Sequence, residues 1–463
     1  MRKRASPGVA RLLALGATLP LGGCLLGPNY SRPPTPEPDA WHAQLGGSLS
    51  SSEADVDALA TWWTVLGDPL LSDLVSRAVS SNLDVQAARE RVQEARERRK
   101  LAEAGFFPTI RGKATVSPSS THSKTPATGL EALWNLDLFG KVRRSAEAAH
   151  GDQQARQEDL HDALVNVAAE VVQTYVDLRA IQAHLAIADA NLAAQGDAAQ
   201  LADWRSLAGL TTSLDVLRAT ADLEQARAQL PSLHAGVEEA ENRLALLLGE
   251  TPGSLNDRLD AAQPLPTAPA EVAVGVPADA LRRRPDVRRA ERQLAAETAR
   301  IGAAKAQAYP TLSLTGALGA GTISFVNPPG FAAVAAAQAV EVLFDDGAIR
   351  ATIRGQEALR AETRDRFQSV VLVALDDVEN AIVEYTQEQT RQRGLAQASA
   401  SAATAATLSR ERYAAGLVDF QVVLDADRSL YAIEEQRVAS QARVVSDLVH
   451  LYRSLGGGWT TEI

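Results

Sequence analysis

Leu130-Glu131-Ala132-Leu133-Trp134-Asn135-Leu136-Asp137-Leu138 is the stretch that decides the fold. Leu130, Ala132, Trp134, Leu136 and Leu138 alternate with Glu131, Leu133, Asn135 and Asp137, the period of two that marks a strand with one apolar and one mostly polar face. Upstream, Thr109 to Val116 fits as its partner, with Pro118-Ser119-Ser120 through Pro126 as the turn. The pattern returns later in the chain. Tyr309-Pro310 opens Thr311 to Ala320, Asn327-Pro328-Pro329-Gly330 supplies a turn, and Ala333 to Phe344 comes back. Each run is near the ~9 to 11 residues with which a tilted strand crosses a bilayer.

The surroundings of both hairpins read as helix. From Pro69 to about Gly105, Leu70, Leu74, Ala78, Val85, Ala88, Val92 and Ala95 recur at three- and four-residue spacing, and Phe107-Pro108 ends the run. Gly140 to about Leu207 contains no proline, and Leu164, Val171, Leu178, Leu185 and Leu192 recur every seven residues. That predicts a coiled-coil helix on the order of 100 Å long. A shorter helix after Gly209 carries Val216, Leu223, Leu230, Val237 and Leu244 at one heptad position and is expected to kink at Pro231. Residues 62 to 249 recur at 275 to 456: Gly209 returns as Gly416 and Leu217 as Leu424, a constant offset (416 − 209 = 424 − 217 = 207). A unit this long is a duplicated half rather than a solenoid repeat.

A soluble coiled-coil rod accounts for the heptads as well as a tube wall does, so the strands decide. Four strands per chain cannot close a barrel, and an open edge in lipid leaves backbone groups unsatisfied. Copies of the chain must pool their strands around a shared axis, and three would give twelve. The expected fold class is mainly α with a small β part: long antiparallel coiled-coil helices forming an α-barrel, plus a transmembrane β-barrel shared between protomers.

At the N-terminus, Arg2, Lys3, Arg4 and Arg11 precede the apolar run Leu12 to Leu19, followed by Leu21-Gly22-Gly23-Cys24. This reads as a cleavable lipoprotein signal over 1–23, with Cys24 as the lipidation site. Cys24 is the sole cysteine, which excludes an internal disulfide and a multi-thiolate metal site. The prolines in Gly27 to Pro38 make 24–61 an extended tether, loosened further by Ser48 and Ser50 to Ser52. A first repeat is expected over 62–250 with its hairpin at about 106–139, a linker over 251–274, a second repeat over 275–456 with its hairpin at about 309–344, and a tail over 457–463.

Net charge is −11, with acids and bases interspersed and no basic face, so nucleic acid is not an expected partner. Enzyme signals are missing. His42, His122, His150, His161, His184, His234 and His450 form no metal spacing, and neither a phosphate-cradling glycine loop nor a G-x-S-x-G elbow occurs. No cofactor is expected.

Longer motifs narrow the reading. Gly27-Pro28-Asn29-Tyr30 with Arg32-Pro33, Trp62-Trp63 with Asp68-Pro69-Leu70, Asn82-Leu83-Asp84-Val85, and Arg283-Arg284-Pro285-Asp286-Val287 with Ala290-Glu291 span nearly the whole chain. They are followed by Ile301-Gly302-Ala303-Ala304-Lys305 and Tyr309-Pro310-Thr311-Leu312-Ser313-Leu314-Thr315-Gly316. In these blocks the chain resembles the TolC-like outer membrane factors of tripartite efflux pumps, in particular their NodT-type lipoprotein branch. The resemblance implies a homotrimer in the outer membrane, with a twelve-stranded β-barrel, a periplasmic α-helical barrel and an equatorial belt. Its implied partners are outer membrane lipid, a periplasmic adaptor and an inner-membrane transporter of the RND type.

By the same resemblance, Gly209-Leu210-Thr211 and Gly416-Leu417-Val418 stand where hairpin tips dock on the adaptor, although Ala208 and Ala415 precede the glycines where the family often has valine. Leu424-Asp425-Ala426-Asp427-Arg428 resembles the periplasmic gate, with Asp425 repeated around the axis. Arg428, three residues on, is placed to relieve that charge or to bond to a neighbouring helix. Arg218 holds the position in the first half equivalent to Asp425 (425 − 207 = 218), so the pairing could run between the two copies, and Tyr413 resembles a tyrosine of the same gate. The implied function is passive conduction of small molecules such as drugs and toxic compounds. A polypeptide-secretion duct and a non-conducting periplasmic scaffold are the alternatives.

Overall fold

The computed structural model describes residues 24–35, 38–52, 55–118, 124–321 and 330–460. The signal read over 1–23, Pro36 in the tether and most of both hairpin turns lie outside them. The elements run β1 (Leu49–Ser50), α1 (Pro69–Ser81), α2 (Leu83–Glu103), β2 (Thr109–Pro118), β3 (Lys124–Leu136), α3 (Lys141–Leu207) and α4 (Ser213–Leu247). Then come β4 (Val272–Ala273), α5 (Pro285–Ala306), β5 (Thr311–Gly321), β6 (Gly330–Val340), α6 (Ala348–Ala414) and α7 (Phe420–Ser454). The duplication is maintained to the residue in the long helices. Both α3 and α6 have 67 residues, both α4 and α7 have 35, and each copy starts at the same offset (348 − 141 = 420 − 213 = 207).

The chain divides into two compact units. The first holds Met1–Pro33, Gln93–Ala155 and Ala290–Phe367; the second holds Pro34–Val92, Arg156–Arg289 and Gln368–Ile463.

In the first unit the four strands form one antiparallel sheet in the order β2-β3-β5-β6. Pro126, expected in the first turn, lies in β3 opposite Val116, so the strand starts earlier than the proline signal implied. At the other hairpin β6 ends at Val340, and Glu341 to Phe344 continue outside the ladder. Alternation fixes which face a residue takes; it does not fix where pairing stops.

The second unit holds the largest apolar core. Heptad residues Leu164, Val171 and Leu178 of α3 are buried there, with Trp62, Leu71, Leu74, Leu244 and Leu448. Trp62 stacks on Tyr452 with ring centroids 5.2 Å apart. Asp68 explains why α1 starts where it does: one carboxylate oxygen accepts from the Leu70 and Leu71 amides at 2.9 and 3.0 Å, and the other accepts from the Tyr175 hydroxyl at 2.6 Å. The expected single helix from Pro69 to Gly105 is two. Asn82 breaks it, capping α2 through Asp84 N and Val85 N and donating to Leu247 O at 2.8 Å. Arg284 of the Arg-Pro-Asp motif sits almost buried, binding Asp286 and Asp377 and donating to the carbonyls of Ala374 and Ser454. Burial pushes the Asp286 carboxyl up, but the bonded Arg284 guanidinium outweighs it and holds the pKa below the usual range.

Other expected features shift. The helix α4 continues through Pro231, which is exposed together with Arg227, so the carbonyl that loses its amide partner faces solvent instead of a buried gap. Segments read as tether and linker pair in parallel as β1 and β4. Trp41 Nε1 donates to Gly275 O at 3.0 Å, and the Glu379 carboxylate accepts from the amides of His42 and Ala43. The tail is held as well, with Trp459 stacked on His161 at 4.2 Å and the Arg288 guanidinium 4.9 Å from the same ring.

Asp447 is a testable strain in this core. It is 4 % exposed, and burial, opposed by Arg443 and reinforced by Glu384 and Glu388, pushes its pKa up to about 6. Because the folded pKa stands above the unfolded one, the ionised carboxylate burdens the fold above that pH, and most of the burden is gone at about pH 4, where the folded carboxyl is protonated and the unfolded one only about half ionised. Asp447→Asn is therefore expected to raise the thermal midpoint at pH 8 and to raise it much less at pH 4. A gain equal at both pH values would refute this account.

Candidate functional site

In the sheet of the first unit, register sorts side chains by chemistry. Ile110 opposes Ala132, Leu130 opposes Leu318, Trp134 opposes Leu314, Leu136 opposes Leu312, and β6 adds Ala335, Ala337 and Ala339 to the same face. The other face pairs Arg111 with Glu131, Asn135 with Ser313 and Ser313 with Gln338. Ser313 Oγ donates to Asn135 Oδ1 at 2.8 Å. Because ladder partners share a face, this is the apolar-outside, polar-inside alternation of a strand wall in lipid. Within the chain β2 and β6 each have one unpaired edge.

Aromatic residues flank the ends of the strands that join helices. Phe106 and Phe107 precede β2, Phe139 follows β3, Tyr309 precedes β5 and Phe344 follows β6. Phe139 and Tyr309 stack at 4.9 Å, and Trp134 Nε1 donates to Phe106 O at 2.9 Å. Aromatic residues in this position suit the girdle of a membrane interface, with Tyr309 and Trp134 supplying the polar tips.

Cys24 is exposed, and its neighbour Leu25 lies against Gly140, just after β3. A Cβ on Gly140 would stand 2.7 Å from Leu25 Cδ1, so the chain next to the cysteine is packed against the exit of β3. The residues that follow are no free tether. Arg144, 1 % exposed, donates to Leu26 O at 2.9 Å, Gly27 O at 3.3 Å and Asn29 Oδ1 at 2.8 Å. Gly27, at φ +88°, touches the backbone of Gly302 so closely that a Cβ would come within 2.5 Å of Gly302 Cα. Nothing in the Lys141-Val142-Arg143-Arg144 sequence marks Arg144 as the clasp, because its acceptors are backbone carbonyls.

In the second unit the two helical hairpins end in matched turns. Gly209 has φ +70° and Gly416 φ +72°. Leu210 N donates to Arg205 O and Gly209 N to Ser206 O, and Leu417 N and Gly416 N repeat the pattern onto Arg412 O and Tyr413 O. Both are Schellman motifs, whose left-handed position favours glycine. Leu210 and Leu417 stand 68 and 73 % exposed, whereas Val418 is half-buried. Thr211 Oγ1 donates to Asp215 Oδ2 at 2.6 Å, and this bond, with those from Thr212, holds the Asp215 carboxyl below the usual range.

Beside the turns, Tyr413 packs with Phe420, Val423 and Leu424. The Arg205 guanidinium lies 4.4 Å from its ring centroid and donates to its carbonyl. Of the two roles expected for Arg428, relieving Asp425 or bonding to a neighbouring helix, the structure shows the second. Arg428 does not pair with Asp425; it binds Asp222 of α4 through both carboxylate oxygens, at 2.6 and 2.9 Å. Asp425 instead accepts from Gln421 Nε2 at 2.9 Å, and Gln421 Oε1 accepts from Arg218 at 3.4 Å, so the two halves meet through a glutamine. Asp427, quoted within the motif without a role of its own, is buried and bound to Arg410 at 2.7 Å. Asp222 carries no signal in the sequence, because its partner lies 206 residues away.

Among the described residues no group of histidines, cysteines or carboxylates could hold a metal ion, and no helix is long and apolar enough to cross a membrane.

Residues 74–250 and 276–457 each match the outer membrane efflux protein family. The chain is 33 % identical over 454 residues to nodulation protein T of Rhizobium leguminosarum bv. trifolii, covering 95 % of this chain and 94 % of the relative. It is 29 % identical to the cation efflux system protein CusC of Escherichia coli over 97 % of this chain and 99 % of that one. The solved outer-membrane channel OprN superposes with a TM-score of 0.85 at 34 % identity, covering 94 % of this chain and all of that one. A duplicated helical frame, a sheet fit for lipid on one face, and matches of this length in both halves place the chain in the outer membrane, as a member of the outer membrane efflux protein family.

Proposed function

We propose that the chain is the outer membrane duct of a tripartite efflux system, a homotrimer that passively conducts small molecules delivered by an RND-type inner-membrane transporter through a periplasmic adaptor. The observation that carries this reading is the four-stranded sheet with one apolar face, one polar face and two open edges. Three copies joined edge to edge would close twelve strands around a polar lumen. Acyl chains on Cys24 would enter the membrane beside the aromatic girdle, each buried methylene contributing ~0.8 kcal/mol. Asp425, Arg428, Arg218 and Tyr413 form the proposed periplasmic gate, and the turns at Gly209-Leu210-Thr211 and Gly416-Leu417-Val418 are the proposed adaptor docks.

The test is single-channel conductance of the purified, mass-checked oligomer in a planar bilayer. A conducting trimer supports the duct; a trimer that stays silent even with Asp425→Ala points to a scaffold. For the docks, Gly209→Val and Gly416→Val place a branched side chain at positive φ in open space, which costs ~1–2 kcal/mol locally without a clash. Adaptor crosslinking is expected to fall several-fold while trimer yield holds. Unchanged crosslinking in the double variant would remove the turns from the dock.

A further inference from the structure

The polar face of the sheet is not electrically neutral. Among the described side chains of the four strands, Arg111, Lys113 and Glu131 are the charged ones, and all three are exposed on the same face. Arg111 stands opposite Glu131 in register. Lys113, one pleat farther from the helices, stands opposite Gly129, which has no side chain to offer it. Two bases against one acid leave a net positive charge on this face of each chain, and neither β5 nor β6 contributes a carboxylate to offset it. A lysine or arginine turned to the hydrocarbon midplane costs ~2–4 kcal/mol, whereas the opposite face offers Ile110, Leu130 and Trp134 to lipid.

We infer that Lys113, with Arg111, makes the barrel lumen favour anions, so that the solutes leaving through it are predominantly those carrying a carboxylate, phosphate or other acidic group. This rests on the duct reading above and adds its substrate class. In a closed barrel each chain sets its Lys113 at one height around the axis, and a ring of like charge concentrates counter-ions in the lumen. The ring lies in the strands, while the acidic gate lies in the helical hairpins. The two filters are different residues and can be altered one at a time.

The experiment is the reversal potential of the reconstituted trimer in a potassium chloride gradient, for the wild-type protein, Lys113→Gln and Lys113→Glu. The chloride-to-potassium permeability ratio is expected to fall in that order, by roughly two- to fivefold across the series, with the screening of aqueous charges limiting the effect. Raising the salt tenfold should shrink the differences. Three conducting channels with one common ratio would overturn the anion filter and leave the duct intact. Three trimers that never conduct would overturn the duct and the filter together. Lys113→Gln keeps the backbone and removes only an exposed charge, so a folding failure of the glutamate variant would not prevent the comparison.

Discussion

Gly27→Val is expected to strip residues 24–30 from their seat and to abolish the assembled, membrane-inserted oligomer. The added Cβ would stand 2.5 Å from Gly302 Cα and 2.9 Å from Gly302 N, backbone atoms inside α5 that no rotamer can move. Overpacking of this kind costs ~1–3 kcal/mol, and the residue must also hold φ at +88°. If the segment leaves, Arg144 loses its acceptors at Leu26, Gly27 and Asn29 together with the cover they provide, keeping Glu147 at 2.8 Å. Each such hydrogen bond to a charged group is worth ~1.5 kcal/mol or more net of its exchange for water. Gly67→Val is the control, because Gly67 has φ +69° but nothing within 4 Å of its Cβ position. Native electrophoresis and protease sensitivity of the N-terminus read the result. If the two valine variants assemble equally, the clasp does not govern assembly.

That clasp also marks where the sequence stops being informative. Proline spacing in Gly27 to Pro38 reads as extended chain, but the docking depends on Arg144 finding carbonyls, and a carbonyl is present at every residue. The same limit explains Arg428. Spacing places it three residues from Asp425, while the folded chain gives it Asp222, brought alongside by the return of the second hairpin. What the sequence did carry is periodicity. The heptads Leu164, Val171 and Leu178 are core residues, the alternation from Leu130 to Leu136 sorts the two faces of β3, and the offset of 207 survives in helix boundaries set by Gly140, Gly209, Gly347 and Gly416. Periodicity reports which side of an element faces the core. It says little about which distant polar group completes a hydrogen bond, and the proposed gate is made of such completions.

Arg428→Ala is accordingly expected to open the proposed gate more than Asp425→Ala does. Asp425 is exposed and bound only to Gln421 on its own helix, so its removal subtracts a charge and one hydrogen bond within α7. Arg428 ties α7 to α4 with two charge-assisted bonds, and its partner Asp222 keeps only 12 % of its side chain exposed. Since the guanidinium is itself half in solvent, the tie is worth about 1 kcal/mol to 2 kcal/mol, not the value of a buried pair. That is enough to move a closed-to-open equilibrium by roughly 5- to 30-fold. Single-channel recordings should show the open-to-closed ratio rising by that factor in Arg428→Ala and equally in Asp222→Ala. The double variant should add little, because both single changes remove the same interaction. Asp425→Ala should give a smaller rise in leak current together with a further shift of permeability toward anions, its charge being the part facing solvent. An open fraction that responds to Asp425→Ala but ignores Arg428→Ala would place the lock on the aspartate alone. A response to neither would take the gate away from this end of the hairpins.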